Sequence, residues 1–294
     1  MEGAGAHPAY EVAVVGHRGF LGGHIAARLE SEGVRVRGFG SNDPVVVDDA
    51  PHPDLAGVRT VVWCAGRANP RLAEEDPALA AADVADLAQA LDALRVAPPM
   101  PRIVLLSSGG TVYGPPANPP YRESDEPAPA NAYARAKRDQ ELLLERWPGE
   151  SVALRVGNAY GPGQVPAPGQ GVLAHWIQAA RAGEPLTLFG DPSSTRDYVH
   201  VDDVADAVLA VHRAEPAPPP VINIGSGRGT SLEELLAVFR EAVAPLEVRV
   251  VRRGARSTDA THSVLDVTLA REVLGWRARV PLVEGIRGQW EFAR

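Results

Sequence analysis

The sequence predicts an α/β protein: a doubly wound parallel sheet, followed by a smaller C-terminal α/β domain. Two observations carry the prediction. Through the first half, short and nearly all-apolar runs alternate with segments of helical periodicity, and the first run ends in a glycine-rich turn that opens a helix. Strands with no polar face are buried on both sides, and a parallel sheet covered by helices on both faces buries them that way.

In chain order, EVAVVG (11–16) is the first strand. A helix follows over 18–33, with Phe20, Ile25 and Leu29 at helical spacing and a stop at Gly33. VRVRGF (34–39), VVV (45–47) and TVVWCAG (60–66) read as the next strands. The Ala- and Leu-rich stretch 77–96 is a helix, and RIVLLSS (102–108) is a further buried strand. Beyond it the pattern is less regular. Helices are predicted at 131–147, 172–182, 202–213, 231–243, 268–274 and 282–292, with strands at 151–156, 185–189, 221–225 and 246–251. The proline-rich stretches 115–130 and 215–220 are loops. No internal repeat is present. The expected division is 1–160 for the first domain and 161–294 for the second, with later segments crossing back into the first.

Composition narrows the function classes. A net charge of −8 argues against a nucleic-acid surface, which needs a basic face. No apolar run reaches the length of a membrane span. The N-terminus lacks a basic leader and is not expected to be a signal peptide. The only cysteine, Cys64, excludes an intrachain disulfide and makes a cysteine-based metal site unexpected. No metal ligands are assigned, and a cytoplasmic protein is expected.

GHRGFLG (16–22) has the form G-x-x-G-x-x-G directly after a strand and at the start of a helix. Gly16, Gly19 and Gly22 let the backbone approach a pyrophosphate. The N–H groups around Phe20 and Leu21 at the helix start bind its charge. Three glycines in a turn could serve packing alone, but the strand before and the helix after favour a Rossmann-type dinucleotide site. An acid about 20 residues on would accept bonds from the adenosine ribose 2′-hydroxyl, but the chain reads F-G-S-N-D there, placing Gly40 or Ser41 at that point. Arg18 could instead pair with a 2′-phosphate, which leans the reading toward NADP. Asp48 or Asp49 is offered to the adenine amino group, and either could equally cap a helix.

Tyr133 and Lys137, in YARAK, are four apart on a predicted helix and share one face. A phenol with an ordinary pKa of about 10 is a poor base at neutral pH, and a neighbouring ammonium is expected to lower it. Such a tyrosine moves a proton while hydride moves at the same carbon.

With these residues in place, the chain resembles the extended short-chain dehydrogenase/reductase superfamily, in particular the sugar-nucleotide epimerase/dehydratase family. The resemblance runs from Val12 to about Trp290 through GHRGFLG, SSGGTVYG (107–114), YARAK, LRVGNAYGPGQ (154–164), GDPSSTRDYVHVDDVADAV (190–208), INIGSG (222–227) and LGW (274–276). It looks most like UDP-hexose 4-epimerases, while GHRG also resembles NADP-dependent GDP-fucose synthases. The resemblance implies that Tyr133 is the acid/base and that Lys137 holds the nicotinamide ribose. It implies that Asn158 and Arg196 contact the nucleotide diphosphate of the substrate, and that Arg256 with Asp259 grips the diphosphate and the nucleotide ribose. It further implies a homodimer packed through the helices at 77–96 and 131–147.

The chain departs from the family at three points. The family's catalytic Ser or Thr falls on Gly109. Thr111 would share that facing if the chain stays extended, with Ser108 the alternative should the two glycines turn it. The Asp-Glu pair of the dehydratases is replaced by Gly110 and Thr111, which argues against sugar dehydration. The acid after the second strand is absent. The resulting expectation is a UDP-hexose-type 4-epimerase using NAD. The alternatives are an NADPH-dependent 4-ketoreductase of 4-keto-6-deoxy sugar nucleotides and, more remotely, a non-catalytic nucleotide-sugar-binding protein on the same fold.

Overall fold

The computed structural model describes residues 9–96, 99–115, 119–254 and 262–293. The first strand, β1 (Val12–Val15), leads into α1 (Phe20–Ser31) and then β2 (Val36–Phe39). Two very short strands follow, β3 (Val46–Val47) and β4 (Ala50–Pro51), then β5 (Thr60–Trp63), α2 (Pro70–Glu75), α3 (Pro77–Arg95) and β6 (Arg102–Ser108). Next come α4 (Ala132–Glu145), β7 (Ser151–Val156), β8 (Asn158–Tyr160), α5 (Val172–Arg181), β9 (Leu186–Phe189), β10 (Thr195–His200), α6 (Val201–Arg213) and β11 (Val221–Ile224). The chain ends with β12 (Gly229–Ser231), α7 (Leu232–Val243), β13 (Val250–Arg253), β14 (His262–Ser263), α8 (Thr268–Leu274) and α9 (Leu282–Phe292).

Six strands form one parallel sheet in the order β2-β1-β5-β6-β7-β11. From β1 the chain runs outward to β2, returns to the other side of β1 at β5, and then moves steadily away. The direction therefore switches at β1, and the loops after β1 and β5 diverge there; in doubly wound sheets this crevice is where ligands bind. Alternation along the strands divides the core. Val12, Val14, Val62, Val104, Leu106 and Leu154 face α1 and α6, while Ala13, Val15, Val61, Trp63, Ile103 and Leu105 face α3 and α4. The late elements β11 and α6 thus belong to this first body.

A third apolar cluster lies outside the sheet, built by Trp176 and Ile177 of α5, Leu186 and Leu188 of β9, Leu235 and Phe239 of α7 and Ile286 of α9. Trp176 meets Phe239 edge to face with ring centroids 5.5 Å apart. Beside it β12, β10 and β14 form a small sheet, with β8 pairing β10 in parallel.

Two expectations change here. The run 45–47 does not join the parallel sheet: β3 turns back on β4 with Val46 opposite Pro51 and Val47 opposite Ala50. The two residues between them, Asp48 and Asp49, have φ of 49° and 59°. Two consecutive left-handed residues make a type I′ hairpin, and Asp is among the few side chains that tolerate the conformation. The strand expected at 246–251 lies later, over Val250–Arg253, where it pairs with β9.

Candidate active site

The glycine loop lies at the switch point. Gly16 has φ of +87°, and a Cβ added to it would fall 2.8 Å from the backbone N of Ala65, in the loop after β5. A Cβ on Gly22 would collide with the carbonyl oxygen of Gly16. Both positions require glycine, so the turn stays a bare-backbone cradle. Gly19 is the N-cap of α1 and offers no side-chain oxygen, which leaves the first N–H groups of the helix, around Phe20 and Leu21, open to an anion. These features fit a dinucleotide pyrophosphate.

The ribose end is open. His17 reaches the end of β2, with Nδ1 2.9 Å from the carbonyl oxygen of Phe39. Arg18 beside it is exposed and has no hydrogen-bond or ion-pair partner among the described residues. Ser41 is exposed, and a Cβ on Gly40 would meet nothing within 4 Å. Asp48 and Asp49 form the exposed hairpin tip.

Tyr133 and Lys137 are placed by the start of α4. The Asn131 side chain caps the helix by accepting a hydrogen bond from Ala134 N at 2.8 Å. This sets Tyr133 in the first turn, beside the C-terminal end of β6. The Ser108 hydroxyl lies close enough to the phenol to favour its ionised form. Thr111 stands behind Ser108 and donates to its Oγ at 2.9 Å. The two rival hydroxyls therefore form one chain, with Ser108 nearer the tyrosine. Gly109 points elsewhere: a Cβ there would lie 2.8 Å from the Arg155 carbonyl oxygen and 2.7 Å from Leu265 Cδ1.

The phenol does not behave as its neighbour alone suggests. Loss of solvation pushes Tyr133 up to about 12, the Ser108 contact opposes this, and the carboxylate of Asp83 adds to the rise. The expected lowering by Lys137 is thus reversed. Lys137 Nζ lies 5.9 Å from the centroid of the tyrosine ring and gives its hydrogen bonds to the Leu106 carbonyl at 3.1 Å and to Gln140 Oε1 at 3.2 Å.

Asn158, in β8, lies opposite Tyr198 of β10, and its Oδ1 would be 3.6 Å from a Cβ on Gly110. Arg196 is two residues earlier on β10, on the face that Tyr198 and Asn158 share. Its neighbour Asp197 is 1 % exposed and holds the strand in place, accepting hydrogen bonds from Ser226 N and Oγ, Gly227 N and Leu265 N. Arg256 and Asp259 lie outside the described residues.

Three features escape the sequence reading. Gln140 is one helical turn after Lys137 on α4, while Asp83 reaches the lysine's surroundings only because α3 packs beside α4. The third was there to be read: of the 29 Lys and Arg residues, 28 are Arg, and the single lysine is Lys137. Arginine stays charged in proteins, whereas lysine titrates when buried. A lone lysine opposite a tyrosine is itself a sign of acid/base chemistry.

Among the described residues no helix is long and apolar enough to cross a membrane. A family model described as the NAD dependent epimerase/dehydratase family matches residues 12–225. The chain is 34% identical to a UDP-glucose 4-epimerase of Mycolicibacterium smegmatis, over 96% of the chain and 97% of that relative. It is 32% identical to a dTDP-6-deoxy-L-talose 4-dehydrogenase (NAD(P)(+)) of Kitasatospora kifunensis, over 95% and 94%. A crystal structure of the Thermus thermophilus UDP-glucose 4-epimerase complex with NAD superposes with a TM-score of 0.82 at 28% identity, covering 96% of this chain and 98% of that one.

Proposed function

This chain belongs to the NAD dependent epimerase/dehydratase family of enzymes, and we propose that within it the protein is an NDP-hexose 4-epimerase acting on UDP-hexoses with bound NAD. The observation that carries this reading is the grouping of Ser108, Tyr133 and Lys137 at the C-terminal edge of the sheet. It occurs in a chain that is similar to a UDP-glucose 4-epimerase over nearly its whole length.

The dinucleotide would be held by the glycine cradle at Gly16, Gly19 and Gly22 and by the start of α1, with Lys137 toward the nicotinamide ribose. When bound it supplies the acceptor and donor of hydride at C4. As the phenolate, a form favoured by the Lys137 ammonium and by the positive charge of an oxidised nicotinamide, Tyr133 takes the proton from the C4 hydroxyl and later returns it. A phenol held up to about 12 is a strong base once ionised and otherwise a proton donor. Ser108, backed by Thr111, stabilises the phenolate and orients the sugar hydroxyl. Asn158 and Arg196, with Arg256 and Asp259, are assigned to the nucleotide diphosphate, where a guanidinium matches phosphate oxygens. A homodimer through α3 and α4 is part of the proposal; Ala78, Ala81 and Ala85 form an exposed small-residue face on α3 that lets a second helix approach closely.

A specific observation favours a second reading, 4-ketoreduction with NADPH. No acid stands at Gly40, Arg18 of the glycine loop has no partner among the described residues, and the Kitasatospora relative is named for NAD(P)(+). One experiment separates the two. The purified protein is incubated with UDP-glucose or UDP-galactose without added reductant, and the hexoses are resolved chromatographically. Interconversion supports the epimerase. No interconversion, together with NADPH consumption on a 4-keto-6-deoxy sugar nucleotide, overturns it.

A further inference from the structure

Lys137 is the only lysine in a chain with 28 arginines, so of the 29 Lys and Arg side chains it is the one whose charge its surroundings can set. Those surroundings are specific. Nζ gives one hydrogen bond to Leu106 O of β6 and one to Gln140 Oε1 on α4, leaving one of its three N–H donors for the site. Gln140 is 1 % exposed, and its amide has only one workable orientation: Nε2 donates to the Asp83 carbonyl oxygen at 3.0 Å, which turns Oε1 toward the lysine. The carboxylate of the same Asp83, 8 % exposed, accepts from Arg67 N at 2.9 Å and Ala68 N at 3.0 Å. These two N–H groups belong to the loop after β5, on the other wall of the switch-point crevice.

We propose that Gln140 and Asp83 are positioning residues for Lys137. Gln140 aims the ammonium, and Asp83 fixes Gln140 by its carbonyl while fixing the loop after β5 by its carboxylate. The inference rests on the assignment of Tyr133 and Lys137 as the acid/base pair. Charged or titratable groups face the lysine from three elements: Asp83 on α3, Cys64 after β5, and Tyr133 and Glu141 on α4. Glu141 is already paired with Arg155 at 2.7 Å, and burial keeps Cys64 neutral by pushing it up to about 12. Asp83, although it also pairs with the Arg67 guanidinium at 3.3 Å, is the main counter-charge. Burial works against it and holds Lys137 below the ordinary lysine range.

Protein grown on isotopically labelled lysine carries one labelled side chain, so NMR reads the titration of Lys137 directly and without substrate. The Gln140→Met and Asp83→Asn variants are expected to move its midpoint to lower pH, and Gln140→Glu to higher pH. In turnover, kcat of Gln140→Met falls about tenfold, the loss of one hydrogen bond to a charged group, with a smaller change in KM. Gln140→Glu keeps the acceptor toward Lys137 but loses the donor to the Asp83 carbonyl, and circular dichroism reads the fold of each variant. Midpoints that coincide in folded wild-type protein, Gln140→Met and Gln140→Glu overturn the inference. A chain that titrates as stated but turns over no nucleotide sugar supports it and overturns the proposed function instead.

Discussion

Restoring a serine at position 109, where the family keeps its hydroxyl, is expected to harm the protein rather than improve it. The Cβ of Gly109→Ser would sit 2.7 and 2.9 Å from the two methyls of Leu265 and 2.8 Å from the Arg155 carbonyl oxygen. Neither neighbour can retreat easily. Leu265 is 1 % exposed and clustered with Tyr113 and Tyr121. Arg155 lies in β7 with its Cα opposite Ser107 of β6, and Gly109 N itself donates to Val156 O at 2.8 Å. Overpacking of this kind costs about 1–3 kcal/mol. In a chain of this size that lowers Tm by roughly 2–5 °C. The added side chain points at Leu265 and β7, so kcat is not expected to rise. Leu265→Ala alone leaves a cavity, but combined with Gly109→Ser its effect is less than additive, because the two side chains compete for one space. Thermal melts and UDP-hexose turnover of the four proteins check this. A serine at 109 that leaves Tm unchanged and raises kcat would refute the reasoning and remove Ser108 from its assigned role.

Three further outcomes follow from the same geometry. Tyr133→Phe should keep the fold, read by circular dichroism, and lower kcat by about 10²–10⁴-fold, the usual contribution of a positioned acid/base; near wild-type turnover would exclude Tyr133. Gly40→Asp has open space for its side chain and should tighten NAD while weakening NADPH by about tenfold or more, as isothermal titration would show; unchanged affinities would place the ribose elsewhere. Stability should also depend on pH through three histidines of opposite sign. His200 and His212 are held below the ordinary histidine range by burial, so their contribution is full above about 6.5 and is lost as pH falls through their lowered values. His24 is raised by its bond to Asp202, so its contribution is full below about 6.5 and fades as pH rises through its raised value. In melts on acidification below about 6.5, His212→Gln should therefore lose stability less steeply than wild type, and between mildly alkaline pH and about 6.5 His24→Gln should lack the stability that wild type gains as pH falls; unchanged slopes would contradict the assignment.

How much was legible in the sequence depended on how local each signal is. The strands β6 and β7 and the helices α8 and α9 fall at the boundaries read from the chain, because apolar runs and helical periodicity within one segment define them. The small sheet around β10 was not legible. TRDYVH carries polar residues on both faces, and its partners at 158–160, 229–231 and 262–263 come from distant segments. The hairpin at 46–51 looked like a strand because three valines outweigh a two-residue turn; only the Asp-Asp pair hints that the chain reverses. The glycine cradle, Tyr133 and Lys137 were readable because each has a spacing that chemistry demands. The balance between Ser108 and Thr111 was not, since it depends on how two glycines turn the chain. The rise of the phenol to about 12 was not legible either. Spacing shows that Lys137 is near, but burial and Asp83, brought in by a neighbouring helix, decide the direction.

The most direct test of the central claim follows a deuterium atom. UDP-glucose labelled with deuterium at C4 is incubated with the purified protein and no added reductant, and the resulting UDP-galactose is analysed by mass spectrometry and NMR. The account predicts UDP-galactose that keeps the deuterium at C4, with no net change in nicotinamide redox state. Recovery of unchanged UDP-glucose, or product formed only with consumption of NADPH, would contradict it.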